Sequence, residues 1–390
     1  MPWISCMPLD ARLEFLAEYR RDRWSFRELC LRYHVSRKTG YKWVARYAEA
    51  GPTGLQERSR RPRHSPRATP AAVVAALVTL RRQHPRWSAK KLLPLLAAAH
   101  PSWALPAIST AQALLKQHGL VRPRPRRRPG RQLQGRAWTP ATAPNVVWTA
   151  DFKGQFRTRD GQWCYPLTIL DSYSRYVLAC VALPDTTGAR AGPIFRAAFR
   201  RYGRPQVLRT DNGAPFAARG LGGLSHLAVE WLCRGIRLER IAPGHPEQNG
   251  RHERFHRTLK AETACPPAGT RRAQQRRFTS FCHTYNTQRP HEALGQTPPA
   301  QHYQASPQAW PRAVPAWDYP GYFEHRRVAA NGCVRWGGAT VFVGQALHGE
   351  TLGFDPHPAG LWLVYLQDYL LGVFDPDHLR VEDARTWVQV

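Results

Sequence analysis

The chain has 390 residues, too many for one ordinary domain, and its 43% hydrophobic content with 14 Trp is enough to build real cores. Its 57 Lys and Arg against 27 Asp and Glu give a formal net charge of +30, and only seven of the basic residues are Lys, so the excess is guanidinium that grips phosphate bidentately. The eight Cys are scattered without a C-x-x-C pair, and no apolar run approaches transmembrane length, which excludes a zinc ribbon, a secreted disulfide scaffold and a membrane-spanning protein. GC-rich coding DNA explains part of the Arg excess but not the shortage of acids, so a nucleic-acid partner and a soluble, cytoplasmic protein are expected.

In chain order, residues 9–20 place apolar side chains at helical spacing, residues 25–33 fit a second helix, and Ser36 caps a third over 37–48. The tight His-Val-Ser turn before the third helix makes a helix-turn-helix pattern, with Arg37, Lys38, Tyr41 and Lys42 at the start of the helix that would enter the major groove. An ordinary helical hairpin with a basic face is the competing reading. Past a basic, Pro-rich joint at 58–70, helices over 71–84, 88–99 and 109–118 follow, with Ser109 as a cap and again helix-turn-helix-like. Residues 122–136 carry seven Arg among prolines, a composition that buries no core. They predict an extended linker, either a solvated charge run or a strap on which Arg124, Arg126, Arg127 and Arg128 track phosphates.

From Asn145 the pattern changes to β-branched and aromatic runs, with strands at 145–154, 162–171 and 174–183. A helix at 189–202, a strand at 206–210, a helix at 224–234, a strand at 236–241 and a helix from about 250 complete a mixed α/β core. Residues 320–390 read as a small sheet or β-barrel. The expected domains are 1–62 (helix-turn-helix), 63–121 (a second helical domain), 122–143 (linker), 144–305 (catalytic core) and 306–390 (all-β).

Two carboxylates stand out in that core. Asp151 lies in the middle of an apolar strand, where an ionised group is costly unless paired or bound to a cation. Asp211 ends a second strand, where the Asn-Gly that follows forces a turn. A third carboxylate beside them would make an oxygen-lined site for a divalent ion, the preference of Mg²⁺, and a pair of such ions drives phosphodiester displacement. Taken singly, Asp151 is equally a strand-edge residue and Asp211 a turn former.

The motifs WTADFKG, LRTDNGAPF, PGHPEQNGRHERFHRTLK and YNTQRPHEALGQTPPAQHY, in that order, resemble those of DDE transposases with a retroviral-integrase-type core. The N-terminal SRKTGYKWVARY and residues 320–390 resemble the helix-turn-helix and C-terminal β domain of bacterial insertion-sequence transposases, so the likeness spans nearly the whole chain. It implies an RNase H-like core with a mixed five-stranded sheet. It also implies Mg²⁺-dependent DNA cleavage and strand transfer, with two ions, Mn²⁺ as a substitute and no zinc. The implied partners are double-stranded DNA, as terminal inverted repeats and target, and further copies of the chain in a dimer or higher oligomer on DNA. The implied location is the nucleoid of a bacterial cytoplasm. His245, Asn249 and Arg254 become supports or DNA contacts by the same resemblance.

Two glutamates compete for the third ligand. The spacing usual in the family selects Glu247, which 35 residues separate from Asp211. The motif P-x-x-P-Q-x-x-G-x-x-E instead aligns Gln with position 247 and its Glu with Glu253, which 41 residues separate from Asp211, with RGLGGLS (219–225) as the insertion. Pro246 to Gly250 is loop-forming and Asn249 a helix cap, so Glu253 falls in the first turn of a helix, which holds a ligand more rigidly than a loop. His256, Arg257 and Lys260 share its face at helical spacing and form a basic stripe for DNA. Asp151, Asp211 and Glu253 are therefore the expected catalytic and metal ligands. HERFH (252–256) also matches the zinc-peptidase pattern H-E-x-x-H, but Arg251, Arg254 and Arg257 surround it and no third ligand follows at a recognisable spacing. A silent DNA-binding relic is the remaining alternative. Asp171 is expected to shape a turn.

Overall fold

The computed structural model describes residues 8–58, 68–121, 138–241 and 249–387, in two compact units, Met1–Ala68 and Thr69–Val390. Arg124, Arg126, Arg127 and Arg128 of the expected strap, and His245 and Glu247, lie outside the described residues.

The first unit holds α1 (Pro8–Arg20), α2 (Phe26–Arg32) and α3 (Arg37–Ala50), closed by a 3₁₀ turn at Gly51–Leu55 that the sequence reading did not foresee. Ser25 and Glu28 form a reciprocal capping box on α2, and the Ser36 hydroxyl accepts from Thr39 N–H at the start of α3. His34 takes φ 51° in the turn between them. At Gly40 a Cβ would lie 2.9 Å from Cys30 Sγ and Phe26 Cζ, so only glycine lets α3 approach α2 this closely. Phe15, Leu16, Leu29, Cys30, Trp43 and Leu55 form the core.

In the second unit, α4 (Ala71–Gln83), α5 (Ala89–Ala99) and α6 (Ile108–Gln117) pack around Leu77, Trp87, Leu92 and Leu115. Ser109 is not a cap: α6 starts at Ile108, with Ala107 in the N-cap position and no side-chain cap bond. Buried Ala111 and Leu115 set the helix face, and tertiary packing overrides the capping preference.

The core follows as β1 (Val147–Phe152), β2 (Phe156–Arg157), β3 (Trp163–Asp171), β4 (Val177–Leu183), α7 (Gly188–Tyr202), β5 (Val207–Thr210), α8 (His226–Leu232), β6 (Arg237–Arg240), α9 (Gly250–Thr263) and α10 (Arg271–Thr287). Its full-length strands run in the order β4-β3-β1-β5-β6, the first three antiparallel and β1, β5 and β6 parallel, with the two-residue β2 hairpinned onto β3. This is the RNase H-like arrangement. α7 and α8 cover one face over Trp148, Ala150 and Leu208, and α9 and α10 cover the other through Phe255, Leu259, Phe278 and Phe281. The α10 helix was not foreseen, although Thr270 caps it and buried Gln274, Phe278, Phe281 and Tyr285 repeat at helical spacing. Asp171 does fold its turn, accepting from Ser174 N–H at 2.7 Å and from Asn145 N–H at 2.8 Å.

The C-terminal region is all-β. A five-stranded antiparallel sheet orders β13 (Arg380–Asp383), β12 (Tyr369–Asp375), β11 (Trp362–Leu366), β10 (Thr351–Pro356) and β7 (Glu324–Arg327). A hairpin of β8 (Cys333–Trp336) and β9 (Ala339–Phe342) joins it, and a short α11 (Ala384–Trp387) ends it. Val334, Leu352, Phe354 and Val364 share one hydrophobic cluster with Leu224, Ala228 and Leu232 of the core.

Candidate active site

Strand register sets the first two carboxylates side by side. Thr149 of β1 pairs with Arg209 of the parallel β5, so Asp151 and Asp211, each two residues further on, reach the same end of neighbouring strands. Alternation along β1 puts Trp148, Ala150 and Phe152 into the α7–α8 cluster and turns Thr149 and Asp151 to the face that α9 covers. Glu253 lies in the first turn of α9 and is exposed.

The electrostatics tie the three together. Burial pushes the Asp151 carboxyl up to about 7, the negative charges of Asp211 and Glu253 push in the same direction, and Lys153 opposes them. Asp211 is raised by burial, against a bond from Gly213 N–H of 3.1 Å. Among the described residues, no three His, Cys, Asp or Glu side chains close into a ligand cage. The donor chemistry nevertheless fits a hard divalent cation, with carboxylate oxygens whose mutual repulsion such a cation would relieve.

The histidines of HERFH do something the sequence reading missed. α9 buries His252, Phe255, His256 and Leu259 on one face and exposes Glu253, Arg254, Arg257 and Lys260 on the other. His256 therefore does not belong to the exposed basic stripe; it turns inward with 4% of its surface exposed. His252 Nε2 and His256 Nε2 lie 2.6 and 2.7 Å from Thr168 Oγ1, which lies 3.0 Å from the Asp151 carbonyl. The carbonyl only accepts, so Thr168 spends its one proton there and both imidazoles donate from Nε2. Thr149 Oγ1 donates to His252 Nδ1 at 2.8 Å, and His256 Nδ1 faces Asp151 Oδ2 at 3.6 Å. Burial drives His252 down to about 3 and lowers His256 further, so both are neutral. The point where a zinc peptidase would bring its two Nε2 atoms together is filled by a threonine hydroxyl. That lock fastens α9 to β1 and β3 and fixes where Glu253 stands.

The other expected residues are placed as follows. Arg37, Lys38, Tyr41 and Lys42 are all exposed along the first turns of α3, with the Tyr41 ring stacked on Phe26 at 3.9 Å. Asn249 occupies the N-cap position of α9, 6% exposed, without a side-chain cap bond. The YNTQRPHEAL stretch docks the helices before the core. Lys90 pairs with Glu292, Lys91 donates to the Pro290 carbonyl, and the Arg289 guanidinium lies 5.5 Å over the Trp87 ring and pairs with Glu262.

A sheet of this order, with aspartates at the matching ends of the neighbouring parallel strands β1 and β5, is that of an integrase-type core. Family models describe an integrase core domain at residues 141–246 and again at 234–299, a helix-turn-helix domain at 11–63 and a homeodomain-like domain at 39–115. The uncharacterised 39.2 kDa protein of insertion element IS476 from Xanthomonas euvesicatoria is 30% identical over 244 residues, 61% of this chain and 67% of that protein. The uncharacterised 31.7 kDa protein of IS407 from Burkholderia multivorans is 28% identical over 190 residues, 48% of this chain and 66% of that one. The catalytic core of HTLV-2 integrase, solved with magnesium, overlays 42% of this chain and 99% of its own at 18% identity and a TM-score of 0.33. The chain belongs to the bacterial insertion-sequence transposases that join an integrase-type core to an N-terminal helix-turn-helix.

Proposed function

We propose that the chain binds the terminal inverted repeats of an insertion sequence, cuts a phosphodiester at each end and joins the freed end to target DNA. The observation that carries this reading is the level placement of Asp151 and Asp211 on neighbouring parallel strands, with Asp211 and Glu253 both acting on the Asp151 charge. Asp151, Asp211 and Glu253 would hold Mg²⁺, or Mn²⁺ in its place, as a pair of ions. Such ions activate the attacking oxygen and stabilise the leaving one.

The protein's own residues do the rest. Asp151, pushed up by burial, would have to be deprotonated to hold a cation, which would link its binding to pH. The Thr168–His252–His256 lock keeps Glu253 in register with Asp151, and the exposed Arg254, Arg257 and Lys260 take DNA phosphates beside it. Arg37, Lys38, Tyr41 and Lys42 meet the repeat in its major groove, and Arg124, Arg126, Arg127 and Arg128 track its backbone. In the first step a water oxygen bonds to phosphorus and the bond from phosphorus to the element's 3′-oxygen breaks. The water's proton passes to solvent, and the 3′-oxygen takes one up as a hydroxyl. That hydroxyl oxygen then loses its proton to solvent and bonds to a target phosphorus, and the displaced target 3′-oxygen takes up a proton. Two ends must be brought together, which calls for a dimer or higher oligomer on DNA, working at the nucleoid of a bacterial cytoplasm.

The test is cleavage of a repeat-end duplex with and without Mg²⁺ by the native chain and by Asp211→Asn, Glu253→Gln and Glu247→Gln. The first two should lose at least about 100-fold and the third stay within about threefold. An inactive Glu247→Gln beside an active Glu253→Gln would overturn the assignment. A native chain that binds the duplex and never cuts it would be a DNA-binding relic.

A further inference from the structure

A cavity of about 640 Å³ lies on the face of the core sheet that α7 and α8 cover, away from α9 and the carboxylates. It sits where α7 ends, before β5 begins, whereas Asp211 follows the other end of that strand. Residues 305–312 cross the end of α7 and close one side of it. Ser306 N–H donates to the Tyr202 carbonyl at 2.7 Å, and Arg204 N–H donates to the Gln308 carbonyl at 2.8 Å. Gly203 takes φ 73°, and a Cβ there would lie 2.6 Å from the Ser306 carbonyl oxygen, so glycine is what admits the crossing segment. Trp310 of that segment is half-buried; its ring stacks on buried Phe199 at 4.6 Å, which stacks on Trp148 of β1 at 5.7 Å. The core thus holds the indole rigidly in the cavity wall, with the Arg234 guanidinium 5.1 Å over it.

Charge decides what the cavity can hold. Its lining brings the five guanidinium groups of Arg196, Arg200, Arg201, Arg234 and Arg312 against the one carboxylate of Glu230, and five minus one leaves four positive charges. Glu230 pairs with Arg196 at 2.9 Å and reaches Arg234 at 3.8 Å. Among the described residues no carboxylate pairs with Arg200, Arg201 or Arg312, and the buried Arg234 Nε has no acceptor. The dipole of α7 favours basic residues in its last turn, which accounts for Arg200 and Arg201 but not for the other three. Duplex DNA carries its phosphates on a convex surface and suits exposed rows such as Arg254, Arg257 and Lys260 of α9. A cavity within the roughly 300–1,000 Å³ of small-molecule sites admits a smaller anion. We propose that this cavity binds a nucleoside triphosphate, with its phosphates on Arg200, Arg201, Arg234 and Arg312 and its base packed against Trp310 and Arg234. Such a ligand brings roughly four negative charges, which matches the excess. Guanidinium forks take phosphate oxygens two at a time, and indole and guanidinium faces both stack on a base. The site goes beyond the end-cutting reaction and does not depend on it.

The test is calorimetric titration of the full chain, without DNA or divalent metal, at about 0.15 M salt so that long-range attraction is screened. ATP and GTP are the nucleotide probes, with tripolyphosphate and adenosine as their two halves. At least one nucleotide should saturate at one per chain. Tripolyphosphate should bind about 5- to 100-fold more weakly, the range one stacked base spans, and adenosine more weakly still. Arg200→Gln combined with Arg312→Gln, both at exposed positions, should weaken the nucleotide at least about tenfold. Arg272→Gln combined with Arg276→Gln removes the same charge from exposed positions of α10, on the other face of the sheet, and should stay within about twofold. A saturating repeat-end duplex should leave the nucleotide bound. Failure of both nucleotides to saturate, either half binding as tightly as the nucleotide, or an equal loss in the α10 variant overturns the inference. So does displacement by the duplex, which would make the cavity a DNA surface. None of these outcomes touches the transposase reading, which stands or falls on cleavage.

Discussion

Replacing Asp151 by Asn should make the metal-free protein more stable at alkaline pH, against the usual cost of altering a site residue. The Asp151 carboxyl titrates near 7, against 3.8 for the ordinary group. The folded chain therefore holds a proton between those values that the unfolded chain has released, and stability falls as pH rises from about 4 through 7. The loss is complete above 7. At 1.36 kcal/mol per pH unit the interval sets an upper bound of about 4 kcal/mol. With the side chain 22% exposed, solvent screening brings the expected cost to about 2–4 kcal/mol. An Asn there is neutral at every pH and keeps the shape. Urea unfolding in EDTA should give Asp151→Asn and the native chain equal stability near pH 4 and open a gap of about 2–4 kcal/mol in favour of the variant near pH 8. Added Mg²⁺ should close the gap by stabilising only the native chain. A gap that is absent near pH 8, or equally large near pH 4, would refute the argument that Asp151 carries an uncompensated buried charge.

Thr168→Val keeps the shape of the lock but removes the acceptor of two buried imidazole N–H groups and the donor to the Asp151 carbonyl, and should cost about 2–5 kcal/mol in urea unfolding. Thr168→Ser should stay within about 1 kcal/mol, and an equal loss in both would show that the methyl matters more than the hydroxyl. Gly40→Ala places a methyl 2.9 Å from Cys30 Sγ and should cost about 1–3 kcal/mol, read as a lower melting temperature of the first unit by near-UV dichroism. Arg257→Ala and Lys260→Ala should each flatten the dependence of log affinity on log salt for a repeat-end duplex by about one. Slopes identical to that of the native chain would remove both from the phosphate contacts.

What was legible in the sequence was whatever short-range pattern decides. Apolar runs broken by turn residues located β1, β3, β4, β5 and β6, and Asp211 falls where the β5 run stops; Asp151, read as mid-strand, lies near the end of β1, which stops at Phe152. The loop-forming residues before Gly250 put Glu253 on a helix. His256 was misplaced for an equally local reason: its spacing of three from Glu253 assigned it to the basic stripe, whereas the histidines share with Phe255 and Leu259 the i, i+3, i+4, i+7 spacing of the buried face. Their partners, Thr149 and Thr168, lie more than 80 positions away and look like ordinary strand residues until β1 and β3 are paired. A buried polar residue is recognisable only from what satisfies it.

The same distinction explains why counting favoured the other glutamate. The turn at 219–225 is not slack beside the carboxylates. Its Gly222 N–H donates to Asp383 at 2.9 Å, the Gly222 carbonyl accepts from Arg240 at 2.9 Å, and Leu221 reaches the backbone of Gly372 in β12. Gly222 and Gly223 take φ of 62° and 65° there, conformations that other residues adopt only under strain. Next to them Leu224 opens the run of core residues shared with the C-terminal sheet. Those residues therefore hold the β domain onto the loop that starts at Asp211, a task unrelated to metal binding. If this turn is the insertion that the resemblance implies, counting through it at the spacing usual in the family lands on Glu247. Allowing for six inserted residues lands on Glu253, with 41 residues between it and Asp211 rather than 35. The separation of the second and third carboxylates measures what has been built between them, while strand end and helix turn decide which side chains can meet.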